Sequence, residues 1–191
     1  MLDIARRRFL ADGYAATSLG AIAREAGVSP EFIHKAFDGK AGLVRAIYEK
    51  SLLGSGSIPA PQRSDDAQAH ETDAADLMHR FGSFTAEVAP LGAPLLRVIQ
   101  DAAAGGDATM VALLEEVQRA RYERMLHNAR QVAARGFLPP GVSAERAADV
   151  FWAVTALELY ESLVLRRGWS PAEFGRFVGD VLAATLLEPS A

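Results

Sequence analysis

The sequence predicts an all-α protein of about nine helices, and three observations predict it. Apolar residues recur three and four apart over most of the chain. No stretch shows the apolar–polar alternation of a half-buried strand. Gly, Pro and Ser fall at the ends of the periodic runs, where helices start and stop. The 191 residues are 50% hydrophobic and 23% charged, enough for a sizeable core. There are no cysteines, which excludes a disulfide scaffold and thiolate metal sites and suits a reducing cytoplasmic compartment. No apolar run approaches the ~20 residues of a membrane span, and the N-terminus lacks the apolar core of a signal peptide. No membrane partner is expected.

Residues 2–12 read as the first helix, with Ile4, Ala5, Phe9 and Leu10 on one face and Gly13 closing it. Arg6, Arg7 and Arg8 point largely elsewhere, a solvated face of which a part can lie near a phosphate backbone. A second helix runs from a cap at Thr17 or Ser18 to about Ala26, with Ile22, Ala23 and Ala26 apolar. Gly27 allows a left-handed exit, and Val28 plugs the turn. Ser29 caps the third helix, and Pro30 takes its first position, where the missing N–H costs nothing. Ile33 and Phe37, four apart, point inward together. The exposed positions of this helix, about Pro30 to Phe37, are then Pro30, Glu31, Phe32, His34, Lys35 and Ala36. The spacing of Ala23, Gly27, Val28 and Ile33 is that of a helix-turn-helix, which offers its second helix to a DNA major groove. An ordinary αα-hairpin also fits this spacing taken alone.

Asp38 and Gly39 make the next turn, and a fourth helix follows from Lys40 to about Leu53 with Leu43, Ile47 and Leu52 inward. Residues 54–71 are rich in Gly, Ser, Pro and acidic residues without a helical period. They read as a loop or linker at the boundary between a domain of residues 1–50 and one of residues 51–191. His70, Glu71, Asp73, Asp76 and His79 lie close in sequence, but a solvated acidic helix start explains them better than a metal site; no metal ligand is assigned. The rest reads as helices. One covers 73–89 (Leu77, Phe81, Phe84, Val88), and a second starts between Pro90 and Pro94 and ends at Gly105-Gly106. A third covers 107–135, a fourth runs from Ser143 to Gly168, and a last one extends from Ser170-Pro171 to Leu187.

The net charge of −4 divides unevenly. Residues 1–50 hold eight Lys/Arg against six Asp/Glu, and residues 51–191 hold twelve against eighteen. The basic excess lies with the helix-turn-helix, as a nucleic-acid partner requires.

The flanks of the helix-turn-helix carry the pattern further. Phe9, Gly13-Tyr14, Thr17-Ser18, Ile22-Ala23, Ala26-Gly27-Val28-Ser29, Phe37 and Lys40 with Leu43 stand in register between Arg6 and Lys50. This stretch closely resembles the DNA-binding domain of the TetR family of transcriptional regulators. The resemblance implies an N-terminal three-helix head and a C-terminal helical body for effector binding and dimerisation. It implies a ligand-released repressor that binds a palindromic double-stranded DNA operator as a homodimer, without a cofactor. The DNA-facing residues it implies are Thr17, Ser18, Ser29, Pro30, Glu31, Phe32, His34, Lys35 and Lys40. Lys40 matches a lysine that meets a phosphate in the family. His34 departs from the usual Tyr, and Glu31 and Phe32 stand where small residues are common. Glu31 favours the helix dipole or accepts from a cytosine amino group; Phe32 packs on a thymine methyl or covers its own core. The chain begins almost directly at the first helix, so no contact from a basic arm is assigned.

The last two helices are apolar over more than one face, which the resemblance explains by pairing with their copies in a second subunit; a larger single core is the alternative. Met78, Phe81, Phe84, Met110, Tyr122, Trp152 and Tyr160 are the candidate lining of an effector cavity, although such a stripe equally makes core. Asp101, Glu158 and His127 are candidate polar contacts. The segment ending in LYESLVLRRGWSPAEFGRFVGDVLAATLL is similar to the C-terminal part of an actinobacterial subgroup. No GxSxG, HExxH, GxGxxG or P-loop is present and the four histidines form no i, i+4 pair, so no enzymatic activity is expected. A helical protein-binding adaptor that has lost DNA binding is the alternative function, which the unusual His34 and the short N-terminus allow.

Overall fold

The computed structural model describes residues 1–187. Among them are ten α-helices, one π-helical stretch and no strand. The helices are α1 (Leu2–Ala16), α2 (Leu19–Ala26), α3 (Pro30–Phe37), α4 (Gly39–Leu52) and α5 (Ala60–His70), then α6 (Ala74–Ala104), α7 (Ala108–Ala134), α8 (Ala144–Val154), α9 (Leu157–Tyr160) and α10 (Pro171–Leu186). The π-helical turns Glu161–Arg166 follow α9 directly. The chain is all-α, as the periodicity requires. No helix among the described residues is long and apolar enough to cross a membrane.

The chain divides into two compact units. The first comprises Met1–Leu52 and Leu91–Val117; the second comprises Leu53–Pro90 and the chain from Gln118 onward. In the first unit the core is built by Ala5, Phe9 and Tyr14 of α1, Ile22 and Ala23 of α2, Ile33 of α3, and Leu43, Val44, Ile47 and Tyr48 of α4. Gly13, with φ at +77°, interrupts helical geometry inside α1 and leaves a single turn beyond it. Arg45 pairs with Glu116 at 2.7 Å within the same unit.

The second unit packs Leu77, Met78 and Phe81 of α6 with Phe151 of α8 and Phe174, Val178 and Leu182 of α10. Phe81 meets Phe151 edge-to-face at 4.9 Å, and Tyr160 meets Phe174 likewise at 5.6 Å. α6 and α10 approach so closely that a Cβ on Gly82 would lie 2.1 Å from the Gly175 carbonyl oxygen. α10 opens with a capping box: Ser170 accepts from the Glu173 N–H, and the Glu173 carboxylate accepts from the Ser170 N–H.

Three elements differ from the sequence reading. The expected loop 54–71 contains α5, whose buried stripe is Ala60, Ser64 and Gln68 rather than an apolar one. It is held by polar contacts to α7: Arg124 to the Pro61 carbonyl at 3.1 Å and Gln68 to Asn128 at 3.3 Å. The two helices expected on either side of Pro90 and Pro94 are one, since α6 runs through both prolines. Each proline removes the N–H that would serve the carbonyl four residues back and crowds that carbonyl with its ring, yet α6 continues through both. The helix expected from Ser143 to Gly168 breaks after Val154. There Thr155 donates back to the Phe151 carbonyl at 2.7 Å, Arg121 takes the Trp152 carbonyl, and Ala156 is extended.

Candidate nucleic-acid interface

The turn between α2 and α3 is built by one glycine and one serine. Gly27 adopts φ +66°, which spares a left-handed penalty, and Val28 then donates to the Ala23 carbonyl at 3.0 Å, closing the end of α2. Ser29 caps α3 by accepting from the Phe32 N–H at 3.1 Å, and Pro30 begins the helix. Ile33 is fully buried and anchors α3 on the core. Pro30, Glu31, Phe32, His34, Lys35 and Ala36 are all exposed, the six positions expected from the sequence. Phe32, at 51% exposure, is not a cover for the domain's own core. The Glu31 carboxyl is held below the usual carboxylate value by its own backbone N–H and by the Ser29 hydroxyl. It therefore faces the helix N-terminus and complements its dipole.

α2 begins at Ser18, exposed, whose hydroxyl oxygen accepts from the Ala21 N–H at 3.2 Å. Thr17 is the residue before it and is not at the surface. It is 3% exposed, and its hydroxyl donates to the Gly13 carbonyl at 2.7 Å. Lys40, at the first turn of α4, donates from Nζ to the Tyr14 carbonyl at 2.8 Å and to the Thr17 carbonyl at 3.1 Å. Of the basic triplet, Arg7 and Arg8 both bind Glu25 on α2, Arg8 at 2.6 Å, and so clamp α1 to α2. Those two guanidiniums hold the Glu25 carboxyl below its usual range. Sequence periodicity could not find this clamp, because its partners lie on different helices. Among the described residues of the head, Arg6, Arg24, Lys35 and Lys40 are in no ion pair, and Lys35 is the one on α3.

These features coincide with a known pattern. Residues 1–47 match the family model of bacterial regulatory proteins, tetR family. The match covers the head, from α1 to most of α4. There α2, the turn and α3 have the order and turn geometry of a helix-turn-helix. Solved structures of similar fold extend over nearly the whole chain. SmeT in complex with triclosan superposes with a TM-score of 0.75 at 21% identity, covering 99% of this chain and 90% of that one. NalD of Pseudomonas aeruginosa, the secondary repressor of the MexAB-OprM multidrug efflux pump, gives 0.70 at 18% identity, with 99% and 96% covered. GusR of Salmonella enterica gives 0.66 at 19%, with 97% and 92% covered. No sequence among the curated proteins matches the chain.

The candidate cavity residues fall in both compact units. Met110 belongs to the first unit and the other six to the second. Met78, Phe81 and Tyr160 are buried in packing, while Phe84 lies under Arg63 and Trp152 under Arg121, at 5.4 and 5.1 Å to the ring centroids. The Tyr122 hydroxyl donates to Asp149 at 3.4 Å. Of the candidate polar contacts, Asp101 pairs with Arg97 one turn away and His127 lies 3.2 Å from Asp65. A groove of about 660 Å³ lies elsewhere, where His79, Ser83 and Glu87 of α6 face Gly175, Arg176 and Asp180 of α10. In the acidic helix start, Glu71 binds Arg80 at 2.7 Å and Asp73 caps α6 by accepting from the Asp76 N–H.

Proposed function

We propose that the protein is a ligand-released repressor that grips a palindromic operator as a homodimer in the cytoplasm. The observation that carries this reading is the face of α3, where six consecutive-turn positions are exposed around a fully buried Ile33. In the complex α3 enters the major groove. Lys35 meets a phosphate or a guanine edge, Phe32 packs on a thymine methyl, and Pro30 and His34 line the same surface. The N-termini of α2 and α3, capped by Ser18 and Ser29, present free N–H groups to phosphates. The domain of residues 1–50 is the head and residues 51–191 are the effector and dimerisation body.

Dimerisation runs through the chain from α8 to α10, which the sequence reads as the last two helices. Trp152, Leu165 and Trp169 are 38%, 61% and 37% exposed there, large apolar side chains that water does not favour. A two-fold pair sets two reading helices about one DNA turn apart, ~34–36 Å. A small molecule in the body, as SmeT is seen with triclosan, favours a dimer whose heads are wrongly spaced. DNA binding then weakens by its differential affinity for the two states. The test is genome-wide recovery of bound DNA followed by Lys35→Ala on the recovered duplex. The variant should lose about tenfold in affinity, with the salt slope reduced by about one per subunit if the contact is a phosphate. Wild-type affinity and slope in that variant would remove Lys35 from the interface. No salt-dependent binding by the native chain would favour the adaptor function instead.

A further inference from the structure

We propose that His34 is a proton-linked phosphate contact: its imidazole meets a DNA phosphate in the charged form, so operator binding takes up a proton and weakens as pH rises. His34 lies on the exposed face of α3, beside Lys35. Among the described residues neither of its ring nitrogens has a hydrogen bond or an ion pair. The ring rests at the seam between α3 and α4. A Cβ on Gly39, the first residue of α4, would stand 3.5 Å from its Cε1 and Nδ1, with Nε2 farther off. A neutral imidazole offers one N–H and an imidazolium two. In the complex the Nε2–H donates to the phosphate, and the charge on the ring adds to the attraction.

The groups around His34 leave the window near neutral pH to it. On α3 and its cap these are Glu31, Lys35 and Asp38; α3 packs on α2, with Arg24 and Glu25, and on α4, with Lys40, Arg45, Glu49 and Lys50. Carboxyls ordinarily lose their proton near pH ~4, and lysine and arginine keep theirs to pH ~10 and above. Glu31 is held below the usual carboxylate range by its own backbone N–H and the Ser29 hydroxyl, and Glu25 by Arg8 and Arg7. An imidazole is the side chain that gains its charge between about pH 5 and pH 8. His34 is the one histidine in residues 1–52. A phosphate beside an imidazole favours its charged form. Acid therefore strengthens the grip on DNA through His34, and alkali loosens it.

This inference rests on the DNA-binding reading of the head, and the test separates the two. Wild type, His34→Gln and His34→Arg are titrated between about pH 6 and pH 8 at several salt concentrations, with far-ultraviolet ellipticity confirming the fold throughout. The probes are a duplex selected by the wild type from a random library at the acid end, and a random-sequence duplex. Glutamine keeps a donor without a charge, and arginine is charged at every pH used. The wild type should lose about tenfold in affinity for the selected duplex from the acid to the alkaline end. Its slope of log affinity against log salt should be steeper at the acid end by about 0.9 per subunit, the mark of one more neutralised phosphate. His34→Gln should keep the shallower slope across the range, and His34→Arg the steeper one. His70, His79 and His127 remain in both variants, so their contribution cancels in the comparison. Equal pH dependence in wild type and His34→Gln would overturn the inference and leave the DNA-binding reading standing. A wild-type salt slope that did not change with pH would do the same. A wild type without salt-dependent binding at either end would overturn both.

Discussion

Gly42, on the first turn of α4, has no room for a side chain. A Cβ there would lie 1.6 Å from the Phe37 carbonyl oxygen, a backbone atom that cannot swing away. The junction is also constrained: Asp38, just before α4, is left-handed at φ +57° with its N–H on the His34 carbonyl, and Gly39, the first residue of α4, stands at +88°. α4 can therefore start directly against the end of α3 only because its second turn-facing residue is a glycine. Gly42→Ala should destabilise the head by about 3 kcal/mol, at the upper end of overpacking costs. Urea unfolding followed by the far-ultraviolet signal measures it. Gly20→Ala is the control, since nothing stands within 4 Å of a Cβ there, and it should cost nothing or slightly stabilise α2.

At the scale of elements, α5 illustrates a helix held by charges rather than by apolar burial. Arg63 of α5 grips Glu87 of α6 with two bonds of 2.7 and 2.8 Å, and the Ser55 N–H adds a third at 2.7 Å. Burial acts to raise the Glu87 carboxyl, but the Arg63 and Ser55 bonds outweigh it and hold the carboxyl below its ordinary 4.5. A carboxyl depressed in the folded state contributes stability that is complete above its ordinary value and is lost as pH falls through its folded one. Glu87→Gln should thus cost about 1–2 kcal/mol at neutral pH, in the range of bonds to charged groups. The difference from wild type should narrow below pH 4.5 and shrink further toward pH 3. Unfolding midpoints in urea across that range give both curves, and a gap that widened on acidification would refute the clasp.

The whole molecule works as a pair if the apolar surface near its C-terminal helices is an interface. Leu165, the most exposed large apolar side chain among the described residues, lies in the π-helical stretch, and Trp169, just before α10, packs edge-to-face on Phe177 of α10 at 5.8 Å. Leu165→Glu places a charge in such an interface, where it is buried without a partner. Sedimentation should then shift from dimer to monomer at micromolar concentration, with far-ultraviolet ellipticity retained. Operator affinity should fall by 100-fold or more, since two half-sites bind as one only when the heads are linked. A variant that stayed dimeric would move the interface elsewhere.

What the sequence determined by itself was everything local. The cap at Ser29, the left-handed Gly27, and the six exposed positions of α3 follow from contacts within a few residues. Their physics is the same in any fold. The family resemblance was legible for the same reason, since a helix-turn-helix is a short run of such local choices. The tertiary structure decided what depends on distant partners. α5 looked like a linker because its buried stripe is Ala60, Ser64 and Gln68, and only Asn128 and Arg124, some 60 residues away, make a polar stripe worth burying. Pro90 and Pro94 looked like breaks because propensity speaks before packing does. The pairing of Arg7 and Arg8 with Glu25, and of Lys40 with two carbonyls, ties helices together in a way that periodicity does not show. A charge in a sequence has a sign but no partner, and the fold alone supplies the partner.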